Sequence, residues 1–106
     1  MARNADSVVM PSTKEALILE LLKSSASPPF GLELVEKSDG RLKRGTVYIT
    51  LQRMEDQGLV ESEREQRPNP QIGIARRRYR ITGLGERALY VYEAARSAFA
   101  LVNAEA

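Results

Sequence analysis

The stretch Arg44-Gly45-Thr46-Val47-Tyr48-Ile49-Thr50-Leu51-Gln52-Arg53-Met54-Glu55-Asp56-Gln57-Gly58-Leu59-Val60 carries two signals in succession. From 46 to 57 the apolar residues Val47, Leu51 and Met54 stand four and three apart, the spacing of one helix face. Gly58 then falls where a left-handed C-cap residue is wanted. Beyond it the period changes: 59–66 alternates, with Val60 among charged neighbours, and 76–81 alternates again, placing Tyr79 and Ile81 on one face. The spacing predicts a helix followed by two antiparallel strands. Between the strands, Arg67-Pro68-Asn69-Pro70-Gln71-Ile72-Gly73 is rich in turn formers and too long for a tight hairpin, which predicts a mobile tip.

Upstream, Ser12-Thr13-Lys14-Glu15 sets a hydroxyl three residues before a carboxylate, the reciprocal capping box that satisfies two orphan donors at a helix start. Leu17, Ile18, Leu21 and Leu22 give this helix of about 12 residues one apolar face. Phe30-Gly31 opens a second short helix, with Leu32, Leu34 and Val35 inward, ending at the turn-forming Ser38-Asp39-Gly40. Thr82 precedes a last helix, with Glu86 in its first turn, running to about Val102. Three helices, a hairpin and a further helix give a mainly α fold with a small β-hairpin wing. This is a winged helix-turn-helix domain over 12–81, with a flexible N-terminal arm over 1–11 and a C-terminal dimerisation helix over 82–106. Gly40 to Arg44 form the connection of the turn motif.

Composition excludes several classes. A chain of 106 residues holds about one domain. With no Cys and no His there is neither a disulfide framework nor a thiolate or imidazole metal site, and the commonest nucleophile–base pairs are absent. No metal, no cofactor and no enzymatic activity are expected. No apolar run approaches the roughly 20 residues of a membrane span, and the N-terminus lacks a signal-peptide pattern, so the expected location is cytoplasmic, away from membranes. The net charge is only +2, but it is unevenly spread. Residues 41–80 hold ten basic against five acidic side chains, a surplus of +5, and the remainder of the chain is acidic by 3.

On a helical wheel with Val47 at zero, Leu51 and Met54 lie within about 40° of it, and the opposite side carries Thr46, Ile49 and Arg53 with Thr50 on its flank. Arg bonds guanine O6 and N7, while Thr or Ile rests against a thymine methyl, so this surface suits base reading in a major groove. A solvated helix face is the alternative. Arg44-Gly45-Thr46 offers a cation and free backbone amides to a phosphate, or is simply a relaxed helix start. Tyr48 stands at the core's edge, within reach of a phosphate or packed there. In the second strand Arg76, Arg78 and Arg80 share one face. Either duplex phosphates neutralise them, or Glu61, Glu63 and Glu65 do so from across the hairpin.

In the last helix Leu84, Ala88, Val91, Ala95, Ala98 and Val102 recur at heptad spacing, widened by Leu89, Tyr92 and Phe99. Either a second copy covers this seam by two-fold symmetry or the helix folds back on its own domain. A homodimer would set two recognition helices about 34 Å apart, on successive major grooves of an inverted repeat in double-stranded DNA.

These residues resemble a known family. Gly45-Thr46-Val47-Tyr48 with Leu51, Arg53-Met54-Glu55 and Gly58-Leu59-Val60-Glu61-Ser62, then Arg77-Arg78-Tyr79-Arg80-Ile81-Thr82 with Gly85 and Ala88-Leu89, is similar to the PadR-like transcriptional regulators over roughly residues 12 to 92. The resemblance implies a homodimeric winged-helix repressor of the smaller subgroup with a single C-terminal dimerisation helix, released by a small apolar or aromatic effector. It also adds weight to Arg44 and Tyr48 as phosphate contacts and to Thr46 and Arg53 as groove contacts. Two positions depart from the family pattern: Phe30-Gly31-Leu32 replaces His-Gly-Tyr, and Ile49 replaces a Pro after the helix Tyr. The chain also lacks the Trp that holds flat ligands in some members, leaving Tyr92 and Phe99 to line a smaller pocket. The reading from another class is a winged-helix module that binds protein without specific DNA recognition.

Overall fold

The computed structural model describes residues 10–66 and 76–105, so most of the N-terminal arm and the wing tip lie outside the described residues. Helix α1 (Thr13–Ser24) begins at the capping box read in the sequence. The Ser12 hydroxyl accepts from the Glu15 amide at 3.2 Å, and the Glu15 carboxylate accepts from the Ser12 amide at 2.8 Å. Leu17, Ile18 and Leu22 are buried as the period requires, but Ala16 and Leu19 are buried too. Helix α1 is therefore enclosed on more than one side, packed by the second helix α2 (Gly31–Lys37), the second strand β2 (Arg77–Ile81) and the last helix α4 (Gly83–Glu105). A helix covered by several elements needs a wider apolar surface than a single stripe.

Helices α2 (Gly31–Lys37) and α3 (Arg44–Asp56) form the turn motif. Of the α2 residues expected inward, Leu34 is fully buried, while Leu32 and Val35 are half-buried. The connection is organised by Ser38, a wholly buried polar residue. Its hydroxyl donates to the Val35 carbonyl at 2.7 Å and accepts from the Leu42 amide at 3.0 Å, so no buried polar atom is stranded where the chain reverses. Asp39 and Gly40 both take positive φ in this turn, at 53° and 82°.

Helix α3 starts two residues earlier than its apolar period suggests. Lys43 is extended and serves as N-cap without a side-chain hydrogen bond, and its carbonyl accepts from the amides of Thr46 and Val47. The helix ends as expected. Gly58, with φ 80°, turns the chain so that its amide meets the Glu55 carbonyl and the Leu59 amide meets the Met54 carbonyl at 2.9 Å. That double closure satisfies carbonyls orphaned at the helix end.

Strands β1 (Val60–Arg64) and β2 (Arg77–Ile81) pair antiparallel, with Val60 opposite Ile81 and Glu63 opposite Arg78. The free edge of β2 gains a short third partner that the alternation did not foretell: Phe30 bridges to Arg78, and the Tyr79 amide donates to the Pro29 carbonyl at 2.9 Å. One core lies beneath all of this, built from Ile18, Leu19, Leu34, Val47, Leu51, Met54, Leu59 and Leu89.

Helix α4 (Gly83–Glu105) leaves β2 through Thr82, whose hydroxyl donates to the Gly58 and Leu59 carbonyls and accepts from the Gly85 amide. Ala88 corrects the sequence reading. Expected on a seam toward a second copy, it is wholly buried in the chain's own core beside Leu89, with Leu84 and Tyr92 packed against the same cluster. By the turn of about 100° per residue, Leu84 and Val102 share one azimuth and Ala88, Val91, Ala95 and Ala98 lie within about 40° of it, so periodicity alone does not say how far along the helix the chain's own core reaches. The early turns of α4 pack on α1, while Val91 and, further along, Ala95, Ala98, Phe99 and Val102 are exposed. No described helix is long and apolar enough to cross a membrane.

Candidate nucleic-acid interface

Val47, Leu51 and Met54 anchor α3 in the core and thereby fix what it shows to solvent. That outer surface holds Arg44, Thr46, Tyr48, Ile49, Gln52 and Arg53, with Thr50 half-buried at one flank. Ile49 is 62% exposed, a large apolar side chain in the middle of a polar face. Thr46 and Thr50 donate their hydroxyls to helix carbonyls, at 3.4 Å to Lys43 and 3.1 Å to Thr46. Internal back-bonding of this kind occupies the hydroxyl protons and leaves the oxygen lone pairs and methyl groups for a ligand.

Charge on this face is one-sided. Among the described residues, neither Arg44 nor Arg53 has an ion-pair partner. The carboxylates of the same helix are already engaged: Glu55 turns away to accept from the Ser62 amide and hydroxyl, and Asp56 accepts from Gln52. Gln52 was not singled out in the sequence, although the wheel sets it about 140° from Val47, well onto the outer face. With Tyr48, Ile49, Arg53 and Asp56 it lines a shallow hollow on the helix surface. A Gln amide at such a place matches the N6 and N7 edge of adenine.

Tyr48 is held from behind by Gly31. A Cβ built on Gly31 would stand 2.7 Å from the Tyr48 ring, so only glycine leaves room for the ring to lie against the start of α2. The ring is 48% exposed, consistent with packing at the core's edge.

The hairpin arginines are differently placed. Arg76 donates through Nε and Nη2 to Glu65 at 3.3 and 3.0 Å. That hydrogen bond raises the Arg76 pKa further and holds the Glu65 carboxyl below its ordinary value. Arg80 reaches Glu61 at 3.2 Å and Glu63 at 3.9 Å. Arg78, although opposite Glu63 in the register, donates instead to the Pro28 carbonyl at 2.8 Å. Of the two sequence alternatives for this face, carboxylate pairing therefore accounts for Arg76 and Arg80 but not for Arg78. On the other face Arg77 donates to Ser62, and Tyr79 is buried. Burial, then the nearby Glu55 carboxylate, raise the Tyr79 phenol, which stays neutral in the core.

Among the described residues no group of three or more potential acidic or imidazole ligands is placed to hold a metal ion. A comparison with curated proteins finds no match. Solved structures do match. The chain is similar to a PadR family transcription regulator from Clostridium difficile R20291, at 26% identity and a TM-score of 0.71 over 86% of this chain and 94% of that one. It is similar also to a PadR family transcriptional regulator from Eggerthella lenta DSM 2243, at 27% identity and a TM-score of 0.73 over 88% and 80%. The model of the transcriptional regulator PadR-like family matches residues 18–91, which include the turn motif, the hairpin and the start of α4. The chain belongs to the PadR-like family of transcriptional regulators.

Proposed function

We propose that this chain is a sequence-specific repressor that binds an inverted-repeat operator as a homodimer and is released by a small apolar or aromatic effector. The observation that carries the DNA-binding part is the outer face of α3, where Arg44 and Arg53 stand without carboxylate partners among the described residues beside Thr46, Ile49 and Gln52. In this reading Arg44 and Tyr48 meet phosphates, Thr46, Ile49, Thr50, Gln52 and Arg53 meet base edges, and Arg76 and Arg78 bring the wing to the flanking backbone.

Dimerisation is supported by the later part of the α4 seam, where Val91, Ala95, Ala98, Phe99 and Val102 remain exposed after the chain has folded. Phe99 alone is 68% exposed. Small residues at 95 and 98 permit close helix approach. An effector would enter near the groove between α1 and α4, lined by Ala16, Leu17, Arg41, Tyr92 and Arg96, with Phe99 further out on the same helix.

The test is fluorescence anisotropy on a duplex from immediately upstream of the chain's own gene, beside a scrambled duplex, at two salt concentrations. Tight binding that prefers the upstream sequence and falls steeply with salt through counterion release is the expected result. Weak binding of both, insensitive to salt, would overturn it in favour of a protein-binding module. The internally paired wing charges are the observation on which that other reading rests. For assembly, Phe99→Glu should shift sedimentation from dimer to monomer while leaving the helical far-ultraviolet signal intact.

A further inference from the structure

We propose that Phe30 is a positioning residue for DNA binding, holding the wing guanidinium groups of Arg76 and Arg78 in one arrangement beside the recognition helix before a duplex arrives. The inference rests on the DNA-binding reading above. It adds a residue that belongs to neither the recognition helix nor the hairpin.

The Phe30 ring has two cations over it. The Arg76 guanidinium carbon lies 4.1 Å from the ring centroid and that of Arg78 lies 3.9 Å from it. Both distances fall within the range in which the ring quadrupole attracts a cation. The backbone fixes the ring there. Phe30 bridges to Arg78 at the edge of β2, its amide donates to the Glu33 carboxylate at 2.9 Å, and the preceding Pro29 is buried.

Each arginine is then tied by one further anchor, Arg76 by Glu65 and Arg78 by the Pro28 carbonyl. A guanidinium carries five N–H donors. Arg76 uses its Nε and one donor of Nη2, and Arg78 one donor of Nη1, so both keep N–H groups for phosphate oxygens. Long side chains that must be ordered on binding cost conformational entropy, and the clamp removes part of that cost in advance. The position is also the relevant one, since Gly31, the next residue, carries Tyr48. The segment Pro28–Gly31 thus touches two wing arginines and the aromatic flank of α3.

The experiment compares the full chain with Phe30→Leu, Phe30→Tyr, the double variant Arg76→Ala/Arg78→Ala, and that double variant combined with Phe30→Leu. Duplex affinity is measured as a function of salt, and folding is checked by thermal melting. Ordering a long side chain on binding costs about two- to tenfold in affinity, so losing the prearrangement of two arginines predicts that Phe30→Leu weakens binding about tenfold, while Phe30→Tyr retains it. The double arginine variant should lower the salt slope by about two, one per lost phosphate contact. In that background Phe30→Leu should have no further effect on affinity. Unchanged affinity of Phe30→Leu overturns the proposal, as does a loss of the same size with the arginines already removed, which would assign Phe30 to the fold alone. Ring-current shifts of the Arg76 and Arg78 side-chain protons, present in wild type and lost in Phe30→Leu, report the stack without DNA. Failure of wild type to bind any duplex overturns the underlying reading even where those shifts are seen; binding without the shifts overturns the clamp alone.

Discussion

Arg44 and Arg53 on α3 and Arg76, Arg78 and Arg80 on the hairpin are alike in sequence, yet the fold treats them in opposite ways. On α3 the nearby carboxylates are drawn elsewhere, Glu55 to Ser62 and Asp56 to Gln52, and the cations stand without partners among the described residues. On the hairpin, antiparallel register sets glutamates opposite arginines, and what escapes pairing is taken by Phe30 and Pro28. A regional surplus of +5 therefore overstates how much positive charge the wing offers and understates how concentrated it is on one helix. Exposed cross-strand pairs are screened and weakly held, so a polyanion competes with them readily, but at the cost of breaking them.

The largest expected effect lies on the helix side. Arg53→Ala should cost about 1–3 kcal/mol on the preferred duplex and far less on a scrambled one, the loss of a bidentate base contact. Equal loss on every sequence would turn Arg53 into a phosphate contact. Arg44→Ala should weaken all duplexes alike and reduce the salt slope by about one. If it changed sequence preference instead, the division of labour along α3 would be reversed.

These assignments also mark how far the sequence reaches. Local signals were readable because they are closed by neighbours in the chain: the Ser12–Glu15 box and the Gly58 helix stop each depend on a few consecutive residues. Gln52 is legible on the same wheel as Arg53, about 140° from Val47, although a neutral amide adds nothing to the charge count that marks this face. The place of Ala88 is not legible because one continuous seam is covered by the chain's own core over its first turns and exposed beyond them, a division that spacing does not encode. Phe30 was out of reach altogether. Its role depends on residues 46 and 48 positions away in the chain, brought over its ring by the hairpin register and by a backbone bridge that no alternation of side chains encodes.

A subtler probe sits where the two regions meet. Gly31→Ala would place a methyl 2.7 Å from the Tyr48 ring, and because the obstacle is a half-exposed side chain, the ring can swing away. Stability should change little, whereas duplex affinity should fall a few-fold; the melting midpoint measured beside the binding curve separates the two. Loss of both together would mean that the Gly31–Tyr48 contact belongs to the core.

The smallest effect tests the hairpin's pairing from its acidic side. Hydrogen bonding from Arg76, opposed by partial burial and aided by the Arg76 charge, keeps the Glu65 carboxyl below its ordinary value. A carboxyl whose folded pKa is lowered contributes stability that is complete above its unfolded pKa and disappears as pH falls through the folded one. Glu65→Gln removes this titration, so its melting midpoint should decline less steeply than that of wild type across the carboxylate range, about pH 5 to 3. The same change releases one tie on Arg76 without touching the Phe30 stack. Binding should therefore rise slightly at low salt, which moves the hairpin toward the behaviour of α3. A fall instead would show that Glu65 aims Arg76 at the phosphate rather than competing for it, and the contrast between the two basic regions would narrow to a difference in how each arginine is held.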